Sequence, residues 1–361
     1  MAIALAIPLT VLTAAGVFEI AGISPLSAFS EIASSSFGNW NSATSSIVNA
    51  IPIFLVAVGV SIALRAGLWN IGGDGQLYVG ALAGTFLGHD FPRLGLPWDL
   101  VIGVLGCALG GALFALIPAL LTAWMGANEV VTTLMLLYVG EYLVSYMVEG
   151  TGPLAVRGAT VPSSVPVHTD WMFPAWGSTS LNWAIAVVPV VAIGAYFLMR
   201  KSTFGLQSRA LGESPRAAVA SGVPAKRVIV IAMCLSGALA GLAGGVMVLG
   251  EYGRLLVGFD PSYGFTGIAV ALLGGLTLPG MAIGALLFGG LQAGGVGITV
   301  LGGSGAIVQI TEGAATIYLV ALLGAMELWR RKRIRPPSLM QEPNISALEA
   351  DTRQPVAGIR S

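Results

Sequence analysis

Charged residues are scarce in this chain: Asp, Glu, Lys and Arg make up only 9% of its 361 residues, whereas 55% are hydrophobic. A soluble domain carries roughly 25% charged residues, because these build its water-facing surface. Lipid solvates aliphatic side chains instead, so the composition excludes an ordinary soluble protein and predicts an all-α polytopic integral membrane protein. The 17 basic and 17 acidic residues balance, so no nucleic-acid partner is predicted.

Reactive and metal-binding side chains are also scarce. The two cysteines, Cys107 and Cys234, lie in apolar runs, and the two histidines, His89 and His168, lie in predicted external loops. No CxxC pair and no Cys/His set with metal-ligand spacing occurs. No GxxxxGK[ST] loop occurs either, so the chain has no P-loop ATPase of its own. We therefore predict no catalytic residues, no metal site and no cofactor in this chain.

Long apolar runs recur along the sequence, and most approach the ~20 residues that cross a bilayer. They cover residues 2–18, 47–64, 98–123, 129–147, 183–199, 228–250, 280–300 and 306–328. Two further segments, 68–88 and 264–277, are apolar but interrupted by glycine and polar residues. Counting both predicts about ten transmembrane helices, and treating both as re-entrant predicts eight. Each interrupted segment precedes a long span, which also indicates two related halves.

Basic residues predict the orientation, because Lys and Arg stay on the cytoplasmic side. They cluster in the loop 200–227 and after the last span, at Arg200, Lys201, Arg209, Arg216, Lys226, Arg227, Arg330, Arg331, Lys332, Arg333 and Arg335. The loop 19–46 has no basic residue and the loop 148–182 has only Arg157, so both are predicted to be periplasmic. We therefore predict a bacterial inner membrane protein with both termini in the cytoplasm.

Two regions make up the predicted domain organisation. Residues 1–335 form the transmembrane domain, and residues 336–361 form a cytoplasmic tail. The tail contains prolines at 336, 337 and 343 and little apolar content, so we expect it to be disordered.

The segment from Arg65 to Gln76, RAGLWNIGGDGQ, places four glycines and three polar residues within an apolar region. Backbone exposed to lipid would leave donors and acceptors unpaired at a cost of several kcal/mol each. The segment must therefore line a cavity or be buried in protein, and its polar groups can bind a solute. Alternatively, Asp74 caps the helix that begins near Gln76. The ring of Trp69 either stacks on a solute or packs against other side chains of the protein. The candidate pathway residues here are Trp69, Asn70, Gly72, Asp74, Gly75 and Gln76.

A second distinctive segment lies in the loop 200–227. Ser214 and Pro215 form a helix start, with Ser at the N-cap and Pro at the first helical position. Gly222, followed by Pro224, forms a stop. The predicted helix of about seven residues is too short to be stable alone in water. It therefore docks against something, unless it is a plain linker.

Small residues recur at helical spacing, as at Gly80, Gly84 and Gly88, and again at Gly106 and Gly110. This spacing lets helix backbones approach closely. Such faces serve either packing within one subunit or contact between subunits.

Four stretches of this sequence resemble one family: RAGLWNIGGDGQLYVGALAG at 65–84, NEVVTTLML at 128–136, ALGESPRAAVASGVPAKR at 210–227 and GFTGIAVALLGG at 264–275. They resemble the permease subunits of bacterial ABC importers for sugars and nucleosides, which include ribose-type and branched-chain-type permeases. The similarity is strongest to the branch that works with basic-membrane-lipoprotein-type binding proteins. It extends from residue 65 to the last span.

The resemblance implies several partners: an ABC ATPase subunit that holds ATP and Mg, a second related permease, and a solute-binding lipoprotein or periplasmic protein. It implies that the helix after Gly212 and Glu213 couples the permease to that ATPase. The coupling residues it indicates are Gly212, Glu213, Ser214, Pro215, Ala218 and Gly222. The second permease is expected to be a distinct chain, although ribose-type relatives form homodimers.

The sequence departs from the family at Leu137, where relatives commonly carry Asn. Glu141 lies one turn later, within a span, where a carboxylate is a candidate functional group. It joins the candidate solute pathway, or it pairs with a neighbour.

The predicted function is therefore the permease subunit of an importer for a neutral polar solute, a purine nucleoside or simple sugar, that works by alternating access. The alternative is a secondary transporter or channel of unrelated fold. The loop 200–227 favours the importer, because an ion-coupled carrier has no use for an ATPase-docking helix.

Overall fold

The computed structural model describes residues 2–259 and 262–303, together with positions 307, 309–311, 313, 314, 316–318 and 321. The predicted tail at 336–361 and the basic cluster at 330–335 lie outside the described residues. Within them the chain is all-α, which confirms the predicted fold class, and its only extended pairings are three isolated β-bridges.

Twelve α-helices form in the described residues. They are α1 (Ala2–Ile20), α2 (Pro25–Phe37), α3 (Trp40–Arg65), α4 (Gly73–Asp90), α5 (Trp98–Met125), α6 (Glu129–Val148), α7 (Val187–Lys201), α8 (Thr203–Glu213), α9 (Pro215–Ala220), α10 (Ala225–Met247), α11 (Tyr263–Leu273) and α12 (Leu278–Val300). A 3-10 turn, Trp183–Ala186, precedes α7, and a π-helical turn, Val248–Tyr252, continues α10.

Six of these elements are long and apolar enough to cross a membrane: α3, α5, α6, α7 with its 3-10 turn, α10 with its π turn, and α12. A seventh is added if α1 and α2, which meet at a bend of 112°, form one span. The described residues therefore confirm a multi-pass protein but not ten spans or two related halves. Helix α11 has only 11 residues, about 17 Å of rise, and most of the run at 306–328 lies outside the described residues.

Helix α3 is the centre of the bundle. Its residues from Ala50 to Ala63 are all buried, packed against α10, α11 and α12. A helix that is apolar on every side belongs in the interior of a larger assembly of helices. At its start, the Asn39 side chain accepts a hydrogen bond of 2.8 Å from the Ser42 amide, which caps the first turn.

Glycine allows α4, α5 and α10 to touch through their backbones. A Cβ on Gly80 would come 2.2 Å from the Gly241 Cα, and a Cβ on Gly111 would come 2.1 Å from the Gly237 carbonyl oxygen. Likewise, a Cβ on Gly84 would come 2.6 Å from the Cys107 sulfur. These glycines therefore pack helices within the subunit, as close helix association in lipid requires.

The two predicted periplasmic loops contain ordered structure. The loop 19–46 includes α2, which packs along α12. The loop 148–182 folds over the ends of α4 and α10, where the His168 amide donates to the Gly88 carbonyl (3.0 Å) and the Phe173 amide donates to the Leu249 carbonyl (2.8 Å). Trp171, within this loop, is fully buried, so the loop is packed onto the helices.

Candidate solute pathway and coupling segment

Asn70 and Gln76, both 2% exposed, are bonded to each other in the interior. The Asn70 side-chain amide donates to the Gln76 carbonyl oxygen (2.8 Å), and the Gln76 amide donates to the Asn70 carbonyl oxygen (3.0 Å). Asn70 also donates to the Ser236 hydroxyl of α10 at 2.9 Å. The structure thus brings these two predicted residues together, in a buried cluster whose amides already have protein partners.

Asp74 joins the two interrupted segments. The helix α4 begins at Gly73, so Asp74 lies inside the first turn and does not precede the helix as the capping alternative required. Its carboxylate instead accepts a hydrogen bond from the Gly264 amide, in the first turn of α11. A Cβ on Gly73 would lie only 3.1 Å from the Gly264 Cα. A carboxylate at a helix N-terminus is favourable, so Asp74 serves α11 rather than α4.

Gly72 and Gly75 allow α4 to approach α6. A Cβ on Gly72 would come 2.8 Å from the Thr133 carbonyl oxygen, and a Cβ on Gly75 would come 2.7 Å from the Leu137 Cα. Leu137, where the sequence departs from the family, is 7% exposed and faces this contact. The Ile71 amide adds a 3.2 Å hydrogen bond to the Thr133 hydroxyl.

Trp69 and Glu141 lie apart from this buried cluster. Trp69 is 43% exposed. Glu141 is partly buried on α6, beside the face that packs against α4. Neither residue hydrogen-bonds to Asn70 or Gln76.

The predicted short helix in the loop 200–227 is confirmed as α9, Pro215–Ala220, with Pro at its first position. Ser214 occupies the N-cap position as predicted, although its side chain makes no capping hydrogen bond. Its backbone at φ −154° is extended, and its carbonyl accepts from the Ala218 amide at 2.9 Å.

Gly222 ends this helix as predicted. Its φ is +85°, a value that glycine adopts without steric cost. The next amide, of Val223, donates back to the Ala218 carbonyl at 3.0 Å, which satisfies the helix terminus in the manner of a Schellman motif. Ala218 is buried, whereas Pro215, Arg216 and the preceding Glu213 are exposed. Among the coupling candidates, Ala218 therefore packs against the protein, whereas Glu213 and Pro215 face outward.

Sequence reasoning missed helix α8 and what it contacts. The chain from Thr203 to Glu213 is helical, with the Ser202 hydroxyl accepting from the Gly205 amide at 3.1 Å. Ser202, followed by Thr203 and then Gly205, is a recognisable N-cap signal. The end of α8 lies against the backbone of the α3–α4 break, since a Cβ on Gly212 would come 2.4 Å from the Arg65 carbonyl oxygen.

Arg65 extends this connection to the second interrupted segment. Its guanidinium Nη2 donates to the carbonyl of Leu276, in the turn after α11. Helix α8 therefore contacts the end of α3, and Arg65 connects that point to the turn after α11.

Among the described residues, cavities also lie outside the buried cluster. One of about 330 Å³ adjoins Arg65 and Arg200 at the predicted cytoplasmic end. One of about 250 Å³ adjoins Asn49, Ser180 and Glu251. A third, of about 340 Å³, lies beside the start of α11. No group of three or more His, Cys, Asp or Glu side chains suited to a metal occurs in the described part of the chain.

Comparison with known proteins identifies the family. The family described as "Branched-chain amino acid transport system / permease component" matches residues 42–326. The glucose ABC transporter permease protein TsgB13 of Haloferax volcanii is 33% identical, over 90% of this chain and 88% of that protein. The nucleoside ABC transporter permease protein NupB of Lactococcus lactis is 30% identical, over 85% of this chain and 86% of that protein.

A third relative is the guanosine ABC transporter permease protein NupP of Bacillus subtilis. It is 31% identical, over 83% of this chain and 86% of that protein. No solved structure matches. The chain therefore belongs to the branched-chain amino acid transport system permease family, and it is a membrane-spanning permease subunit of an ABC transporter rather than an enzyme.

Proposed function

We propose that this subunit imports a neutral polar solute, a purine nucleoside or a simple sugar, across a bacterial inner membrane. The observation that carries the proposal is the similarity to three permeases whose names specify glucose, nucleosides and guanosine. These solutes share hydroxyl groups and a flat face, and none carries a charge at neutral pH.

The distribution of charge supports a neutral solute. In the described membrane-crossing helices, Lys and Arg occur only in terminal turns, as at Arg65 of α3 and Arg200 of α7. A phosphate or carboxylate would therefore meet no counter-charge along the bundle, although such groups are normally recognised by Arg or Lys.

The proposed route passes the interrupted segments. The contact between Asp74 and Gly264 joins them, and the Asn70–Gln76 cluster fills the space between α4 and α10. In this proposal the cluster is the closed section of an alternating-access route, and Trp69 and Glu141 line that route away from the cluster. Transporters place their solute sites at such broken helices.

The proposed complex contains a separate ATPase at α9 and a solute-binding protein at the loop 148–182. Its second permease is a distinct chain. Lactococcus lactis has both NupB and NupC, and this chain covers 86% of NupB but 78% of NupC. The longer match to NupB supports a heterodimer in which this chain takes the NupB-like position. Both termini are placed in the cytoplasm.

The test is uptake of radiolabelled guanosine, adenosine, ribose, glucose and arginine by cells with and without the gene for this chain. We expect that deletion abolishes uptake of one neutral solute and leaves arginine uptake unchanged. Loss of arginine uptake alone would contradict the proposal. Purification of an active complex with two copies of this chain and no other permease would contradict the heterodimer.

A further inference from the structure

A pocket of about 330 Å³ lies where the last turn of α3, the last turns of α7 and the turn between α11 and α12 meet. Two arginines line it, Arg65 from α3 and Arg200 from α7. Most of the remaining lining is apolar and includes Ala195, Met199 and Met281. The pocket therefore combines two positive charges with a mainly apolar wall.

The positive charge of Arg65 has no counter-charge in the part of the chain that the structure describes. Its guanidinium Nη2 donates to the Leu276 carbonyl, whereas its Nε is buried and has no hydrogen-bond partner there. The pocket lining includes no Asp or Glu, and the ion pair found among the described residues joins Arg93 to Asp170 instead. A partly buried cation that lacks a counter-charge is costly, so an anion beside Arg65 would be strongly favoured.

Other arginines increase the positive charge around this point. The charges of Arg200 and of Arg209, which lies on α8, both act on Arg65. Arg200 is placed 5.7 Å from the centre of the Tyr196 ring, a cation–π contact that leaves its charge in place. Like charges at short range repel, and a bound anion relieves that repulsion.

One face of α7 leads from the middle of this span to the pocket. Ile193, Tyr196 and Arg200 lie at positions i, i+3 and i+7 of the helix, which places them on one side. All three are exposed, Ile193 by 58% and Tyr196 by 42%. An aliphatic, then an aromatic and then a basic side chain match the order of acyl chains, interface and headgroups in a bilayer. An acyl chain can therefore lie along this face while its headgroup reaches the pocket.

Snorkelling accounts for Arg200 but not for Arg65. An arginine near the end of a lipid-facing helix ordinarily extends its charge toward the interface. Arg65 instead ends α3, the buried centre of the bundle, and it is half-buried and bonded to Leu276. Its charge is therefore held at the pocket.

We infer that this pocket binds the phosphate of an anionic phospholipid of the inner leaflet, held by Arg65 and Arg200. A guanidinium and a phosphate form paired, charge-assisted hydrogen bonds, and basic pockets between membrane helices on the cytoplasmic side recognise anionic headgroups. The inference rests on the proposed orientation, which places this end of α7 at the inner leaflet. It goes beyond the proposed transport function, since the ligand is a lipid and not the solute.

The first experiment measures lipid binding. The complete transporter is purified in detergent and supplied with phosphatidylglycerol or phosphatidylcholine, and native mass spectrometry records the bound lipid. Arg200→Gln is compared with Lys201→Gln, because both remove one exposed positive charge from the end of α7 and only Arg200 lines the pocket. We expect Arg200→Gln to weaken phosphatidylglycerol binding about tenfold or more, the effect of losing a hydrogen bond to a charged group. Lys201→Gln should bind it as the wild type does, and phosphatidylcholine should bind more weakly. Equal binding of phosphatidylglycerol by both variants would overturn the inference.

The second experiment distinguishes a lipid from free phosphate. A ligand that binds only the folded protein raises its midpoint of thermal unfolding. We expect phosphatidylglycerol to raise the midpoint of the wild type and of Lys201→Gln, but not that of Arg200→Gln. Inorganic phosphate should have little effect, because it has no acyl chain to lie against α7. An equal rise with inorganic phosphate would overturn the lipid assignment, and so would the absence of any rise with phosphatidylglycerol in the wild type.

Further outcomes separate this inference from the proposed function. If guanosine or glucose is transported but Arg200→Gln and Lys201→Gln bind phosphatidylglycerol equally, the lipid site is wrong and the proposed function stands. If only Arg200→Gln loses the lipid but neither solute is transported, the lipid site stands and the proposed function fails. The orientation is tested in a Cys234→Ser background with Lys201→Cys. Labelling of that cysteine from outside intact spheroplasts by a membrane-impermeant reagent would overturn both the orientation and the inner-leaflet site.

Discussion

Gly67 and Gly212 meet backbone to backbone: a Cβ built on Gly67 would lie 3.2 Å from the Gly212 Cα. Gly67 follows the end of α3 with φ +77°, and Gly212 lies in the last turn of α8. The proposed ATPase-coupling segment thus has a rigid, side-chain-free contact with the chain that leads into Asn70. A displacement of α8 and α9 would be transmitted directly to the break between α3 and α4.

The substitution Gly212→Ala is expected to break this connection. Its new methyl group would come 2.4 Å from the Arg65 carbonyl oxygen, so α8 must move away from α3. In proteoliposomes containing the complete transporter, we expect ATP hydrolysis to continue while solute uptake per ATP falls severalfold, about 1 kcal/mol of coupling. Gly194→Ala is the control, since its methyl group meets open space. Equal coupling ratios for both variants would exclude the contact as a transmission point.

The exposed face of α9 is expected to bind the ATPase. Val219 is 57% exposed there, while Ala218 anchors the helix from its buried side. We expect Val219→Asp to reduce recovery of the ATPase with the affinity-tagged permease, because a charge in an apolar contact is costly to desolvate. Val161→Asp, at 59% exposure in the loop 148–182, should leave that recovery unchanged. The assignment of the docking face fails if Val161→Asp has the larger effect.

The amide pair formed by Asn70 and Gln76 predicts non-additive stability effects. Gln76→Leu removes two hydrogen bonds from the buried Asn70 amide, which keeps only those with the Gly72 amide and the Ser236 hydroxyl, at a cost of about 1–3 kcal/mol. The double variant Asn70→Leu/Gln76→Leu removes both partners, so its loss should be smaller than the sum of the two single losses. Thermal unfolding of the purified protein in detergent measures all three variants. Strictly additive losses would show that the two amides act independently.

The contact of α4 with α10 is expected to tolerate no side chain. A Cβ on Gly80 would lie 2.2 Å from the Gly241 Cα and 2.3 Å from its carbonyl oxygen, and a backbone cannot rotate away as a side chain can. We expect Gly80→Val to lower the free energy of unfolding by about 3 kcal/mol or more. On size-exclusion chromatography, the monodisperse peak should then shrink or disappear. Gly194→Val should elute as the wild type does. Normal elution of Gly80→Val would mean that the helices lie further apart than described.

Much of the architecture could be predicted from the sequence, because membrane spans and helix ends depend on local properties. The apolar runs at 98–123 and 129–147 became α5 and α6 with ends within a few residues, since hydrocarbon requires every backbone amide to be bonded within its own helix. Pro215 and Gly222 likewise fixed α9, because each restricts its own backbone torsions. The family, too, was recognisable from short stretches of sequence, among them RAGLWNIGGDGQ.

The partners of polar and small residues depended on the tertiary structure. The sequence offered Asn70, Asp74 and Gln76 as solute ligands, but it could not show that Ser236, 166 positions later, would meet Asn70. Nor could it show that Asp74 would cap α11, whose first turn is distant in the chain. These pairings are set by the closeness of α4 to α10 and α11, which the backbone contacts of Gly73 and Gly80 permit. Spacing along one helix carries no information about which neighbour it packs against, so only the folded bundle decided which groups pair with Asn70, Asp74 and Gln76.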